Sequence, residues 1–274
     1  MLNANRSFAA VEMVWVFFRN SNLIIDLIKR EVVGRYRGSS MGLLWSFFNP
    51  ILMLIIYTFV FSIVFKARWP GGSESKTEFA LVLFSGLMVF NLFSECINRA
   101  PSLILNNANY VKKVIFPLEI LPIVALGAAF FHFAISLIVW LVFFFIFFGL
   151  PKPEIFLLLA VLIPLMFLIM GLSWGLASLG VYLRDVSQVV GVLTTVLMFM
   201  SPIFYPISAL PEQYRALMHL NPLTFSVEQA RDVMIWGKGI NWSDWSLQLL
   251  VSLSIFWLGF AWFQKTRKGF ADVL

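Results

Sequence analysis

The sequence predicts an all-α integral membrane protein with six transmembrane helices, and three observations support that prediction. Hydrophobic residues make up 60% of the 274 residues and charged residues only 12%, against about a quarter in soluble proteins. Mean hydropathy is +0.88. The few charges divide the chain into apolar runs of about 20 residues or more, the length that a helix needs to cross a bilayer. The predicted spans are 38–65, 79–98, 120–149, 155–183, 186–204 and 245–264.

The segment before the first span, residues 1–37, carries an amphipathic pattern. Four of its apolar residues recur at helical spacing, namely Phe8, Val11, Trp15 and Phe18. Glu12, Asp26 and Glu31 interrupt the segment, so it lacks the uninterrupted apolar core of a cleavable signal peptide. We expect a helix lying in the cytoplasmic interface. An ordinary basic membrane anchor explains the same pattern equally well at this stage.

Lysine and arginine are unevenly distributed between the two sides of the predicted spans. An even number of spans places both termini on one side, and the positive-inside rule assigns that side to the cytoplasm. The sequence therefore predicts an inner (cytoplasmic) membrane protein with both termini cytoplasmic. The net charge of +6 then reflects topology rather than nucleic-acid binding. The inner basic residues, 13 of 20, are Arg6, Arg19, Lys29, Arg30, Arg35, Arg37, Arg99, Lys112, Lys113, Arg184, Lys265, Arg267 and Lys268.

The loop between the second and third spans, residues 99–119, is cytoplasmic under this topology. Its segment "YVKKVIF" is short and amphipathic, asparagines that favour helix caps precede it, and Pro117 disfavours its continuation as a helix. We expect a short surface helix. Its lysines, Lys112 and Lys113, either bind anionic lipid or steer a cytoplasmic partner onto the apolar side chains of the loop.

Ionisable residues are scarce inside the predicted spans. Glu95 is the single acidic residue there, and Arg99 lies four residues later, at the spacing of a helical ion pair near the cytoplasmic end. His132 in the third span either packs by a hydrogen bond to another helix or faces a pathway. Cys96 is expected to behave as a small buried apolar residue. The sequence indicates no metal site, because two histidines and one cysteine are too few for a structural zinc site.

Two spans carry distinctive residue patterns. In the fourth, Gly171 and Gly175 form a GxxxG pair that Ser178 and Gly180 extend, which predicts close approach of a second helix. In the first, aromatic residues share a helix face, with two further aromatics near its other end. Such a face suits either lipid contact or stacking against the C–H side of sugar rings. These residues are Tyr57, Phe61 and Phe65, then Trp45 and Phe48.

Residues 205–243 are too polar for another crossing, and they predict two short external helices over 211–219 and 222–235. Pro211 and Pro222 are placed as first-turn residues, and Asn221 is placed to cap the second helix. Gly237 and Gly239 are expected to end that helix. Both helices are amphipathic, so they are expected to dip into the outer leaflet, either as a gate or as an interfacial cap.

The sequence contains no match to the phosphate-binding loop of ATPases. That loop requires the pattern GxxxxGK[ST], and the single Gly-Lys pair, Gly237-Lys238, is followed by Gly239 and preceded by Asp232 where the first glycine belongs. We therefore expect no nucleotide or other cofactor to bind this chain.

Four segments in order along nearly the whole chain carry a family resemblance. They are "REVVGRYRGSSMGLLW" before the first span, "NANYVKKVIFPLEILP" after the second, "LRDVSQVV" after the fourth, and "SPIFYPISALP" followed by "LNPLT". Together they resemble the ABC-2 type permease family, in particular the subunits that export O-antigen, capsule or teichoic acid polymers. The resemblance implies one transmembrane domain over 1–274 that works as a homodimer with two ABC ATPase subunits, which bind ATP and Mg.

The resemblance also implies roles for individual residues. The 99–119 loop becomes a coupling helix inserted into the ATPase, with Asn109, Tyr110, Val111, Lys112, Lys113 and Phe116, joined by Arg184 and Asp185 from the next cytoplasmic turn. The interface-helix gate comprises Arg35, Tyr36 and Arg37. The translocation pathway comprises the five aromatics of the first span. The external, re-entrant gate comprises Phe204, Tyr205, Pro211, Asn221 and Pro222.

The expected function is therefore export of an undecaprenyl-linked polysaccharide through a channel between two permeases. The alternative within the same class is a teichoic acid, a drug or a lipid as cargo. A membrane-embedded transferase is the third hypothesis. It requires a cluster of acids, or a base beside a nucleophile, and Glu95 and His132, isolated in the sequence, provide neither.

Overall fold

A computed structural model describes residues 18–64, 69, 76–112 and 116–274. In these ranges the chain forms helices and turns and no β-strand, which confirms the all-α prediction for them. The helices are α1 Ser21–Arg35, α2 Trp45–Tyr57, α3 Lys76–Arg99, α4 Ala108–Val111, α5 Leu121–Phe148, α6 Leu158–Tyr182, α7 Val186–Phe199, α8 Glu212–Leu220, α9 Pro222–Arg231, α10 Trp242–Thr266 and α11 Phe270–Val273. Wider, π-type turns continue α2 over Thr58–Val64 and α9 over Asp232–Trp236.

Five helical stretches in the described ranges are long and apolar enough to cross a membrane. They are Gly42–Phe61, Thr77–Ser102, Leu118–Phe148, Pro153–Tyr182 and Trp242–Val273.

The remaining predicted span, 186–204, forms a shorter helix. Helix α7 has 14 residues, which rise about 21 Å against a hydrocarbon thickness of about 30 Å. It ends at Phe199 because Ser201 precedes Pro202, and proline disfavours helical geometry in the residue before it and has no N–H to donate. The structure therefore supports five full-length spans, and the sixth predicted crossing is not confirmed.

Helix α3 is the centre of the bundle, and α2 lies at its edge. In the most apolar window of each span, 83% of residues are buried for Thr77–Ser102 but only 17% for Gly42–Phe61. The largest fully buried side chains of the protein include three from α3, namely Leu83, Met88 and Leu92. The first span, like the last, which is also 17% buried, therefore presents a large apolar surface that the other described residues leave uncovered.

Glycines bring α6 and α10 into close contact. A Cβ placed on Gly171 would lie 2.5 Å from the carbonyl oxygen of Ile255, and one on Gly259 would collide with the backbone of Gly171. Further along the seam, the hydroxyls of Ser178 and Thr266 lie 2.6 Å apart. Close approach at Gly171 is thus confirmed. No described residue lies within 4 Å of a Cβ on Gly175, so Gly175 takes no part in this seam, which follows Gly171 and Ser178. Gly180 makes its close approach to the backbone of Pro101 instead.

One end of the bundle brings together the start of α5 and the ends of α6 and α10. Arg267 donates from Nη1 to Glu119 Oε2 at 2.9 Å, and the Tyr182 hydroxyl donates to the carbonyl of Thr266 at 2.9 Å. Glu119 is the last residue of the 99–119 loop and its single acidic residue. This loop, the turn after α6 and the segment after α10 therefore lie at the same end, which we call the loop end.

The opposite end, which we call the hairpin end, holds the turn between α5 and α6 and the start of α10. The Trp245 indole donates to the carbonyl of Ala160 at 2.9 Å, and Lys152 Nζ donates to the carbonyl of Trp236 at 3.1 Å. Helices α8 and α9 also belong to this end because the segment after α9 is in contact with Lys152.

Helix α1 packs against the side of the bundle. The missing side chain of Gly127 in α5 leaves room for Ile28, which a Cβ would overlap. Ile24, Leu27 and Val32 of α1 are buried. The helical prediction for residues 1–37 is confirmed over Ser21–Arg35, while Phe8, Val11 and Trp15 lie outside the described residues.

Candidate coupling and translocation sites

The predicted coupling segment is short and held against α1. A 3₁₀ turn, Leu105–Asn107, leads into the four-residue α4. Arg30 Nη2 donates to the Tyr110 hydroxyl at 2.8 Å, and the Tyr110 ring stacks on Phe116 with 4.2 Å between ring centroids and 11° between planes. The segment is therefore fixed to the interface helix through Tyr110.

The other predicted coupling residues differ in exposure. Asn109 and Lys112 are exposed, whereas Val111 is half-buried like Tyr110 and Phe116. Lys113 lies outside the described residues. Arg184 and Asp185 are exposed in the turn between α6 and α7, where the Ser187 hydroxyl donates to the carbonyl of Arg184 at 3.1 Å. The exposed polar groups of both loops are thus available at the loop end of the bundle.

A cluster of charged side chains joins α1, α3 and α5. Arg35 Nη2 lies 2.5 Å from Glu95 Oε1, and His132 Nδ1 lies 3.1 Å from the same oxygen. Arg35 Nη1 lies 3.1 Å from His132 Nδ1. The expectation that Glu95 and His132 are isolated is therefore wrong. The predicted Glu95–Arg99 pair is present, but at 3.8 Å it is the longest of these contacts.

A second ion pair fastens the same helices one turn away. Arg99 Nη2 at the end of α3 contacts Glu31 Oε1 in α1. Tyr36 meets the His132 ring edge-on with 6.1 Å between centroids, and burial raises the pKa of its phenol. Arg37 is exposed. The sequence did not reveal this ion cluster because its members come from three helices with no common spacing.

Aromatic side chains from α2 and from the turn after α7 meet at one place. The Phe61 ring lies against Phe204, with 5.7 Å between centroids and 23° between planes. Phe204 also stacks on Phe199 at 5.8 Å, and Phe61 lies 6.5 Å from Tyr57. The structure therefore brings the predicted pathway residue Phe61 against the predicted gate residue Phe204, with Tyr57 on another side of Phe61.

The remaining pathway candidates lie away from this contact. Trp45 and Phe48 are exposed near the start of α2, with their rings edge-on at 6.3 Å. Phe65 lies outside the described residues. Trp45 and Phe48 belong to the part of the first span that this chain leaves uncovered, so the same surface suits lipid or another protein chain.

Helices α8 and α9, predicted to be external, form a hairpin whose tip contacts the bundle. Asn221 Oδ1 accepts from the N–H of Leu223 at 3.0 Å, which confirms the predicted cap, and its Nδ2 donates to Ser201 Oγ at 2.9 Å. Gln248, a turn and a half into α10, donates to the carbonyl of Pro222 at 2.6 Å. The tip therefore lies between the end of α7 and the side of α10, below the end of the bundle.

The prolines and glycines of this hairpin behave largely as predicted. Pro222 is in the first turn of α9, and Gly237, at φ +62°, ends the segment after it. Pro211 immediately precedes α8 rather than lying in its first turn. The Tyr205 hydroxyl donates to the carbonyl of Phe199 at 2.7 Å, which closes the turn after α7.

A buried arginine that the sequence did not single out connects the hairpin to α3. Arg231 is 2% exposed. Its Nε donates to the carbonyl of Val82 at 3.0 Å and its Nη2 to that of Ile203 at 2.6 Å, while Nη1 contacts the carbonyl of Pro202. Burial lowers its pKa to about 9, so the guanidinium remains charged at neutral pH.

The contacts of the ion cluster join α1, α3 and α5 through charged side chains. Glu95 and His132 are held by Arg35. Ser136 Oγ donates to the backbone carbonyl of His132 at 3.0 Å, and among the described residues no hydrogen bond joins a serine, threonine or cysteine to the side chains of Glu95 or His132. The nearby Cys96 is buried, as expected. The transferase hypothesis therefore gains no support from the ion cluster.

Comparison with known proteins gives matches over nearly the whole chain. The O-antigen export system permease protein RfbA of Myxococcus xanthus is 27% identical over 264 residues, which cover 96% of this chain and 99% of that protein. RfbA of Klebsiella pneumoniae is 24% identical, covering 92% and 95%. The polysialic acid transport protein KpsM of Escherichia coli is 26% identical, covering 84% and 88%.

A family model agrees with these relatives and with the resemblance noted in the sequence. The model for the ABC-2 type transporter matches residues 22–235. This range begins in α1 and ends after α9, so it includes the ion cluster, the 99–119 loop and the hairpin. Because the match covers well over half of its length, this chain belongs to the ABC-2 type transporter family.

Proposed function

We propose that this chain is the permease subunit of an ATP-driven exporter that moves a lipid-linked, O-antigen-like polysaccharide outward across the inner membrane. The observation that carries the proposal is the near end-to-end similarity to an O-antigen export permease, with 96% of this chain and 99% of the relative aligned. An undecaprenyl carrier would keep the lipid end of the cargo in the bilayer while the sugar chain crosses. The loop end is cytoplasmic, as are both termini.

Energy comes from two separate ATPase subunits, which bind ATP and Mg. The absence of a GxxxxGK[ST] pattern in this sequence supports that assignment. The ATPases dock on the loop end of the bundle, where Asn109 and Lys112 are exposed in one loop and Arg184 and Asp185 in the next. Lysine and arginine at this surface steer an acidic partner by long-range attraction.

Movement of the docked loop passes into the membrane through α1. Tyr110 is tied to α1 by Arg30, and the same helix is tied to α3 by the Arg99–Glu31 pair and to Glu95 and His132 by Arg35. A displacement of the loop therefore has a short, charged connection to α3, the central helix. Arg35 acts here as a positioning residue for α1.

The pathway lies between two copies of the chain. The apolar windows of the first and last spans are each only 17% buried within one copy, which leaves surface for a partner, and of these two spans the first carries the aromatic face. Tyr57 and Phe61 offer aromatic planes to the C–H faces of successive sugars without demanding one hydrogen-bond pattern. The stack of Phe61 on Phe204 supports a role for the external hairpin and its preceding turn in closing the exit.

Affinity purification from the native membrane tests this proposal. A tagged chain is expected to recover an ATPase that contains a phosphate-binding loop, and deletion of the chain is expected to abolish one surface polysaccharide. Reversing two charges, Lys112→Glu with Lys113→Glu, is expected to reduce ATPase recovery at least about fivefold, because like charges then oppose docking.

A matched control uses two other exposed lysines at the same end. Lys265→Glu with Lys268→Glu makes the same change in net charge outside the predicted docking loop, and recovery of the ATPase is expected to stay near the unmodified level. Absence of any ATPase from the unmodified sample would reject the proposed subunit role. Equal losses in both double variants would reject the 99–119 loop as the docking site.

A further inference from the structure

A polar cavity opens beside the external hairpin at the hairpin end of the bundle. Its volume is about 460 Å³, and it is lined by Trp69, Pro206, Glu228, Gln229, Arg231, Asp232, Trp236 and Lys238. This volume is within the range of about 300–1,000 Å³ that is usual for small-molecule sites. The charged groups of the ion cluster are at the other end of α3 and take no part in it.

The lining combines aromatic planes with paired donors and acceptors. Asp232 Oδ1 accepts from Lys238 Nζ at 3.0 Å, and its Oδ2 lies 3.4 Å from Gln229 Nε2. Trp236 is half-buried at one side. On another side, the Arg231 guanidinium lies 4.4 Å from the centre of the Trp69 ring.

The charges of the described lining residues balance. Two carboxylates, Glu228 and Asp232, accompany two cations, Arg231 and Lys238. A balanced site does not favour a free anion or cation, whereas neighbouring donors and acceptors suit hydroxyl groups, which do both. Tryptophan adds a flat apolar face with a polar edge, and that combination matches a pyranose ring, which has C–H groups on its faces and hydroxyls at its rim.

The surrounding structure keeps these groups in place. Arg231 is fixed by carbonyls of α3 and of the turn after α7, and Gln229 Oε1 accepts from the N–H of Asn241 at 2.9 Å. Lys152 holds the backbone of Trp236. A binding site gains affinity when its groups are ordered before the ligand arrives, because less conformational freedom is lost on binding.

We propose that this cavity binds a neutral sugar unit of the exported polymer on the outer side of the permease, with Trp236 as the stacking surface and Asp232, Gln229 and Lys238 as hydrogen-bonding groups. The inference rests on the proposed export function, which supplies the ligand class. It adds a sugar site next to the hairpin, apart from the aromatic residues of the first span. A sugar held there is retained on the outside and does not slide back.

Saturation-transfer NMR tests the site on the full chain purified in lipid nanodiscs. The probe is a set of oligosaccharides released by mild acid from the surface polysaccharide that disappears when the chain is deleted. The unmodified protein is expected to transfer saturation to sugar ring protons. Trp236→Leu, which keeps an apolar side chain but removes the ring plane, is expected to reduce the signal at least about fivefold.

Trp242→Leu is the matched control, since Trp242 is an exposed tryptophan at the same end and does not line the cavity. Its signal is expected to match that of the unmodified protein. If deletion of the chain removes no surface polysaccharide, the proposed function fails and the site fails with it. Two outcomes overturn the site alone when the polysaccharide is lost on deletion: its fragments give no signal with the unmodified protein, or Trp236→Leu gives the same signal as the unmodified protein.

Discussion

The two ends of the bundle hold their charged side chains in different ways. At the loop end, Arg35 and Arg99 face the carboxylates Glu95 and Glu31, and all four side chains are partly exposed. At the hairpin end, Arg231 is 2% exposed and donates to three backbone carbonyls. Exposed ion pairs also occur at the hairpin end, such as Lys238–Asp232, so the contrast lies between the water-accessible pairs that hold α1 and the single cation that is sealed among carbonyl dipoles.

This difference suggests different mechanical roles. A partly exposed ion pair is stabilised modestly and can separate when water replaces each partner. A buried guanidinium has no such replacement, and removing it leaves buried carbonyls without their donors. We therefore expect the α1 contacts at the loop end to rearrange during transport. The junction of α3, the turn after α7 and α9 is expected to move as one unit.

The largest expected effect comes from removing the buried arginine. Arg231→Met deletes three donor contacts at once, and we expect a loss of about 3 kcal/mol or more in the free energy of unfolding. That loss lowers the melting temperature of the detergent-purified protein by roughly 5–10 °C. Differential scanning fluorimetry measures the shift.

Arg215→Met is the control for this prediction. Arg215 also donates to two backbone carbonyls, those of Leu210 at 2.9 Å and Ser208 at 3.1 Å, but its side chain is 40% exposed. Water can satisfy those carbonyls when the side chain is lost. Equal melting shifts for the two variants would contradict the sealed-junction account.

An intermediate effect is expected at the ion cluster. Arg35→Gln and Glu95→Gln, alone and together, form a double-mutant cycle for the 2.5 Å pair. We expect a coupling energy of about 1–2 kcal/mol, since the pair is partly buried and His132 shares the carboxylate. Urea or thermal unfolding provides the four stabilities, and additive effects would show that α1 is not fastened by this pair.

The smallest effect is expected for an exposed charge at the hairpin end. Glu212 is 92% exposed and 4.0 Å from Arg215. Glu212→Gln should change the free energy of unfolding by less than about 0.5 kcal/mol. The same melting assay checks it. A larger loss of unfolding free energy would mean that the position of a charged contact at the hairpin end, rather than its burial, determines how much it stabilises the protein.

Much of the fold was predictable because the bilayer imposes simple constraints on sequence. Long uncharged runs predicted five spans that the structure supports, and proline, asparagine and glycine predicted the limits of α9 through their fixed backbone preferences. The predicted 186–204 span is longer than the helix that forms, Val186–Phe199, because hydropathy does not register the helix-ending effect of Pro202. The GxxxG spacing likewise predicted a close helix contact, which forms at Gly171 but does not include Gly175.

The candidate sites were less accessible to sequence reasoning. Tyr57 and Phe61 share a face by simple spacing, but their meeting with Phe204 depends on how α2 packs near the end of α7. Glu95 and His132 looked isolated because 37 residues separate them. Arg231 looked like one of several basic residues in an external segment. No local pattern distinguishes an exposed arginine from one that a fold encloses.

The sequence by itself determined the class of this protein: a helical membrane protein with its basic residues concentrated at one end, since hydrophobic length and charge distribution act locally along the chain. Four sequence segments added the resemblance to a permease family. Only the tertiary structure decided which charges meet, that α3 is the central helix, and that α9 is buried against it. Those features depend on side chains far apart in the chain occupying the same small volume, and packing, rather than composition, selects them.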